Sequence, residues 1–274
     1  MKSLSVFQIL LLSSFFALLA CNEVHIKINS EKGTHSDSLK ADFDNYITEI
    51  EIGSATRLLT EINMPAGRIN IEQTTEKLIK GVFEFTREEW KPKVTYSEEV
   101  TEGFLKIGPK KSSDDINFQD SDICRYSIEL NKEIEQELKV VVGAGDGEIN
   151  LENFNLKSFE LAIGAGELRI NLKNTSVKNL ELAAGAGKIT VDLTGKWENN
   201  MHADIAGGVG KIILLLPKEP GIQAEISGLL GDIEAPGFEK QGKVYTSKNF
   251  KDATYSLKLE IAGAIGQVRL VLQD

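Results

Sequence analysis

Cysteine, histidine, proline and tryptophan are all scarce in this chain, at 2, 3, 6 and 2 copies in 274 residues. Two cysteines exclude a disulfide-stapled scaffold. Three histidines, His25, His35 and His202, leave few acid–base or metal-binding groups, and neither a Ser-His-Asp constellation nor a His-ligand spacing can be drawn through them. Basic charge is also short, with 31 Lys and Arg against 41 Asp and Glu for a net charge of −10, which excludes the electrostatic footprint of a nucleic-acid binder. Apolar stretches with helical 3.6-residue periodicity are missing. What the chain does have is 41% hydrophobic residues, enough for a sizeable core, distributed in short alternating runs that read as β-strands. This composition argues against an enzyme and implies no metal or cofactor.

Residues 1–20 form one unit. Lys2 opens it, and from Val6 to Ala20 only Gln8, Ser13 and Ser14 are polar. Such a run is too short to cross a bilayer comfortably and has the size of a secretory signal core. It ends Leu18-Leu19-Ala20-Cys21 and turns polar at Asn22-Glu23. The junction resembles the bacterial lipoprotein signal, which implies that Cys21 becomes acylated and forms the mature N-terminus, holding the protein on a membrane of the cell envelope. Cys124 is then left without a partner, and its alternating neighbours place it in a strand. Residues 21–45, rich in Ser, Lys, Asp and Asn, read as a flexible tether.

Glycine is unevenly placed: 18 of 24 lie from Gly143 onward. They recur in a seven-residue phrase, KVVVGAG (139–145), ELAIGAG (160–166), ELAAGAG (181–187), DIAGGVG (204–210), EISGLLG (225–231) and EIAGAIG (260–266), with steps of 21, 21, 23, 21 and 35 residues. A weaker copy, EINMPAG, stands at 61–67. A repeat near 20 residues predicts a stacked, solenoid-like β-structure. Each phrase leads into a second alternating strand, as in GELRINL, GKITVDL and GKIILLL. Leu168, Ile170 and Leu172 face inward in one rung, and Val140, Leu161, Leu182, Ile205, Ile226 and Ile261 share an inward position in the first strand. The corner between the two strands needs positive φ or close backbone approach. That makes Gly143, Gly145, Gly164, Gly166, Gly185, Gly187, Gly208 and Gly210 structural turn residues.

The expected fold is therefore all-β: a stacked-strand, solenoid-like repeat of about 21 residues per rung over 139–274, preceded over 46–138 by a first rung and an antiparallel meander (KGVFEFTR, PKVTYSEE, GFLKIGP, RYSIELN). An insertion over 236–256 accounts for the 35-residue step. The string MPAGRINI, then KGVFEF, KPKVTY and GFLKIG, then the GAG rungs, resembles the bacterial toast-rack domain family over about residues 46–274. The resemblance implies a cell-envelope protein, often lipid-anchored and largely without assigned biochemistry. It also implies a link to cell-wall antibiotic stress proteins.

Three chemistries can be weighed on the residues. Each G-x-G is followed by a strand rather than a helix, so a nucleotide loop is not read here. Gly143-Ala144-Gly145-Asp146-Gly147 suggests calcium, but the Asp becomes Glu167, Lys188 and Lys211 in later rungs. The carboxylate ladder Glu160, Glu181, Asp204, Glu225 and Glu260 suggests hard cations; a solvated face balanced by Lys188, Lys211 and Arg169 is the favoured reading. His202 is expected in a return loop, and Trp90 and Trp197 as packing groups or partner contacts. The function expected is a non-catalytic binding or scaffold module for an envelope protein or polysaccharide, in stress response or adhesion. The alternative is a polysaccharide-acting β-helix enzyme, which would need carboxylates from several rungs to meet in a cleft.

Overall fold

The computed structural model describes residues 26–33, 43–110, 122–228 and 230–273. The expected signal segment 1–20 and Cys21 lie outside the described residues.

Each rung is one long strand bent in its middle. β3 (Arg57–Thr74), β8 (Glu135–Asn150), β9 (Leu156–Asn171), β10 (Asn179–Asp192), β11 (Met201–Leu216) and β16 (Ser256–Leu272) are of this kind; one further rung is split into β12 (Gly221–Ser227) and β13 (Leu230–Glu234). The bend follows from a phase slip in the hydrophobic pattern. In β9, Phe159, Leu161 and Ile163 are buried at odd positions, and after Gly164-Ala165-Gly166 the buried positions are Leu168 and Ile170, at even ones. In a straight strand a one-residue slip would send the second half's apolar set to solvent. Folding the strand at the glycines returns both halves to one core. Return loops close the third side with Leu151 and Phe154, Leu172 and Val177, and Leu193 and Trp197, all buried. Their backbones continue the ladder: Leu151 N–H donates to Asn171 O at 2.9 Å and Leu172 N–H to Asp192 O at 2.8 Å.

Parallel pairing in constant register stacks like on like, so Leu161 lies beside Leu182, Leu182 beside Ile205, and Ile205 beside Ile261. The two glycines of each corner do different work. Gly166 has φ +135°, a region nearly closed to other residues. At Gly164 φ is not positive, but a Cβ would stand 2.3 Å from the carbonyl oxygen of Gly143 in the rung beside it. The corners without GAG keep the same geometry, with φ of +141°, +155° and +150° at Gly210, Gly231 and Gly266.

The stacking order departs from chain order. β16, the last strand, lies between β11 and the rung made of β12 and β13. The insertion supplies the hairpin β14 (Phe238–Gln241) and β15 (Val244–Ser247), which pairs with β12. The copy at 61–67 is a full rung, in register with β8 through Gly67 opposite Gly145.

The four expected meander strands form as two antiparallel pairs, the second with the third and the first with the fourth, rather than as one run. The hairpin β5 (Pro92–Glu99) and β6 (Glu102–Pro109) adds to the first half of β3, Arg57–Ile62. β7 (Cys124–Asn131) adds to its second half, Arg68–Thr74, followed outward by β4 (Ile79–Phe85), β2 (Phe43–Ile50) and β1 (Ile26–Gly33). The first half of β3 thus carries one wing and the second half another. On the second wing Tyr46, Phe83 and Tyr126 stack side by side across β2, β4 and β7 with centroid spacings of 5.7 and 5.0 Å. The expected tether is in part structured: Ile26–Gly33 pairs antiparallel with the whole of β2. The alternation of Ile26, Ile28 and polar residues between is the signal for it.

Candidate functional site: a trough across five strands

The outer face of the first half-strands is built of rows running across the sheet, because register is constant. One row runs Ser97, Phe104, Leu59, Glu137, Ser158; the next runs Thr95, Lys106, Glu61, Lys139, Glu160. Over these rows lies a trough of about 570 Å³, crossing β5, β6, β3, β8 and β9. At ~4.8 Å per strand, four spacings make it ~19 Å long.

Half-buried Leu59 and Phe104 give it an apolar floor, and Thr95, Ser97 and Ser158 supply hydroxyls along the sides. The charges are paired across strands. Lys106 Nζ lies 3.1 Å from both carboxylate oxygens of Glu61, Lys139 Nζ lies 2.6 Å from Glu160, and Lys157 Nζ lies 2.7 Å from Glu137. These pairs are partly exposed, so each stabilises by only ~0–1 kcal/mol. Their effect is to fix the rim charges and leave the trough near neutral. Tyr96, between Thr95 and Ser97, turns its ring to the inner face and packs against the core; burial pushes its phenol above the ordinary range, and its hydroxyl donates to Glu98 at 2.8 Å. Neither Leu59 nor Phe104 is legible as a site residue in a pattern that counts alternation alone. The signal was the break in alternation, Leu58-Leu59 and Phe104-Leu105, where one of two adjacent apolar residues must face out.

The acidic ladder continues the second row, in a different order from the sequence. It reads Glu160, Glu181, Asp204, Glu260, Glu225, because β16 sits between β11 and β12. Lys188, Lys211 and Arg169 do not balance it: they lie beyond the corner, on the other outer face. Lys139 does, on Glu160, and His202 places its Nε2 3.4 Å from Asp204. His202 lies on β11, not in a return loop. Among the described residues no group of three or more His, Cys, Asp or Glu has the arrangement of a metal site.

The remaining candidates are structural. Gly145, Gly166, Gly187 and Gly210 hold the positive-φ corner, and Gly143, Gly164, Gly185 and Gly208 the close approach. Trp90 and Trp197 are buried, and the Trp197 indole donates to Leu193 O at 2.8 Å, so both pack rather than present a partner surface. Cys124 is buried in β7, which pushes its thiol up to about 12. Among the described residues no helix is long and apolar enough to cross a membrane.

A stack of bent parallel strands that fills its interior with aliphatic ladders, and shows its chemistry only along outer rows, is a surface-presenting β-repeat protein. The chain belongs to the toast-rack family: the family's "N-terminal domain of toast_rack, DUF2154" matches residues 36–178 and, overlapping, 159–215. Among solved structures it is similar to a "putative cell adhesion protein" from Clostridium sporogenes, at 23% identity and TM-score 0.61 over 90% of this chain and 100% of that one. A "putative adhesin" from Bacteroides fragilis and another from Parabacteroides distasonis also match, at 11% and 10% identity with TM-scores of 0.25 and 0.30, each over 83% of this chain and 97% of the other. No curated protein matches.

Proposed function

We infer that this is a non-catalytic envelope protein, anchored through acylated Cys21, whose trough binds an extended envelope polysaccharide. The observation that carries the reading is the trough itself. It is open and elongated, and its floor of Leu59 and Phe104 suits the C–H faces of sugar rings, while its sides offer hydroxyls and fixed charges. The enzyme alternative needs carboxylates converging in a cleft, one of them held protonated. Here Glu61, Glu137 and Glu160 each sit against a lysine, and the rest of the ladder lies on an exposed sheet face. The similarity to the Clostridium cell adhesion protein fits a binding role and lends it indirect support.

The test is co-sedimentation of the protein with purified cell-wall polysaccharide. Phe104→Ser should reduce retention about tenfold while leaving the melting temperature within a few degrees, since Phe104 faces outward. Equal retention of wild type and variant would sink the assignment. For the anchor, Cys21→Ser should abolish acyl labelling and release the protein from the membrane fraction; a labelled or membrane-retained variant would refute it.

A further inference from the structure

The second half-strands form one sheet in the order β1, β2, β4, β7, β3, β8, β9, β10, β11, β16, β13. Among the described residues β13 pairs only with β16, and no backbone hydrogen bond reaches its other side. On the other face the hairpin β14–β15 covers the matching edge of β12, so one half of the last rung is closed and the other is open. Natural sheets shield long open edges because these recruit strands.

The residues around this edge differ from their counterparts in every rung before. The middle residue of each corner is Ala144, Ala165 and Ala186 in β8 to β10, then Val209, Ile265 and Leu230 in β11, β16 and β13. These three are 56%, 56% and 73% exposed, an aliphatic ridge leading up to the open edge. Next along β13, Asp232 is exposed and has no ion pair among the described residues. Glu234 is occupied by Arg269 at 3.2 Å and Gln267 at 2.6 Å.

The corner geometry restricts what can sit there. At Gly145, Gly166, Gly187, Gly210, Gly266 and Gly231, an added Cβ would lie 1.7–2.0 Å from the carbonyl oxygen of the corner glycine in the adjoining rung. A strand laid parallel on β13 meets the Gly231 carbonyl in the same way, and must itself have glycine there. The residue before that glycine lies against Leu230, the one after it against Asp232, and the next continues the inward position of Ile233. We propose that the open edge of β13 accepts an extended segment of a partner protein with the pattern aliphatic–Gly–Lys or Arg–aliphatic, docked in parallel. Backbone pairing supplies affinity, and the ridge, the glycine and Asp232 supply selectivity. A second copy of this chain is a poor occupant. Its own segment of this pattern, Val209-Gly210-Lys211-Ile212, is paired on both sides inside the stack, and antiparallel self-pairing of β13 about its centre sets Asp232 against Asp232. The site is four strand spacings, ~19 Å, beyond the trough edge at β9, so it stands or falls separately from polysaccharide binding.

The test uses the full-length chain in detergent and a fluorescent peptide carrying Val-Gly-Lys-Ile-Ile between polar flanks, read by anisotropy. Saturable binding is expected. Replacing the peptide glycine by valine should weaken it at least tenfold, and so should Asp232→Lys in the protein. A peptide with Glu in place of Lys should recover binding to Asp232→Lys. Absence of saturable binding, equal affinity of the glycine and valine peptides, or no charge-swap recovery would overturn the proposal. A concentration-dependent dimer that competes with the peptide would overturn it in favour of a second copy.

Discussion

Replacing Gly166 by alanine separates the two costs that the corner imposes. The first is conformational: φ of +135° is a region that costs a non-glycine residue about 1–3 kcal/mol. The second is steric. The new Cβ would stand 1.7 Å from Gly145 O, and reaching an ordinary contact of 3.4 Å requires a shift of 3.4 − 1.7 = 1.7 Å between rungs. A displacement of that size breaks the adjacent cross-strand hydrogen bonds, each contributing about 1 kcal/mol net, and two or three are within reach of the corner. The total is about 3–6 kcal/mol. For a chain of this size, 1 kcal/mol corresponds to roughly 2–4 °C, so the melting temperature should fall by about 6–24 °C. Gly242→Ala is the control. Its φ is +62° and nothing lies within 4 Å of the site, so it carries the conformational cost alone, about 1–2 kcal/mol. Thermal unfolding followed by circular dichroism compares the two. If Gly166→Ala melts within 3 °C of Gly242→Ala, rung-to-rung contact at the corner is not what demands glycine.

Two further perturbations test the core and the acidic row. Burial raises the Cys124 thiol from 9.0 to about 12, so the folded state keeps a proton that the unfolded state loses first; this contribution is intact below pH 9 and disappears as pH rises from 9 to 12. Cys124→Ala should therefore flatten that alkaline decline relative to wild type, and superimposable slopes of stability against pH would contradict the burial. In the row Glu181, Asp204, Glu260, Glu225, repulsion between exposed neighbours is ~1 kcal/mol per pair in water, and the Debye length is ~10 Å at 0.1 M salt. Sodium chloride should thus stabilise the protein as much as calcium chloride at matched ionic strength, and Glu181→Gln should be neutral or mildly stabilising. A calcium-specific rise in melting temperature that vanishes in Glu181→Gln would show a cation site.

Which parts of this structure were legible in advance depended on whether a contact repeats. Leu161, Leu182 and Ile205 recur at fixed spacing, so their common ladder and the glycine corner between two out-of-phase strands follow from periodicity. The partners of β3 do not recur: β6 and β7 add to its two halves through pairings set by the global path of the chain, and no local pattern encodes them. The trough arises from that non-repeating join, and so it escaped a reading centred on repeats. The same limit misplaced the ladder's counter-charges. Lys188 and Glu181 are seven residues apart, yet the corner between them puts them on different faces, whereas Lys139 and Glu160, a full rung apart, lie side by side.

The position of β16 has a consequence for the order in which the chain can assemble. During synthesis the rungs from β8 to β11 can each settle on one already made, and β9, β10 and β11 find their neighbour only 21–23 residues back. β12 and β13 cannot, since the strand that separates them from β11 has yet to be made. Until residues 256–272 emerge, β12 has the hairpin β14–β15 on its outer side, while the inner side of the segment 221–234 has either no partner or the wrong one, β11, whose corner glycine and inward aliphatic positions it matches closely. A nascent chain that docks β12 directly on β11 must release it before β16 can enter. Completion of the stack is therefore expected to be the slow folding step, and a chain ending before residue 256 is expected to hold its last rung on β11 as a stable mistake.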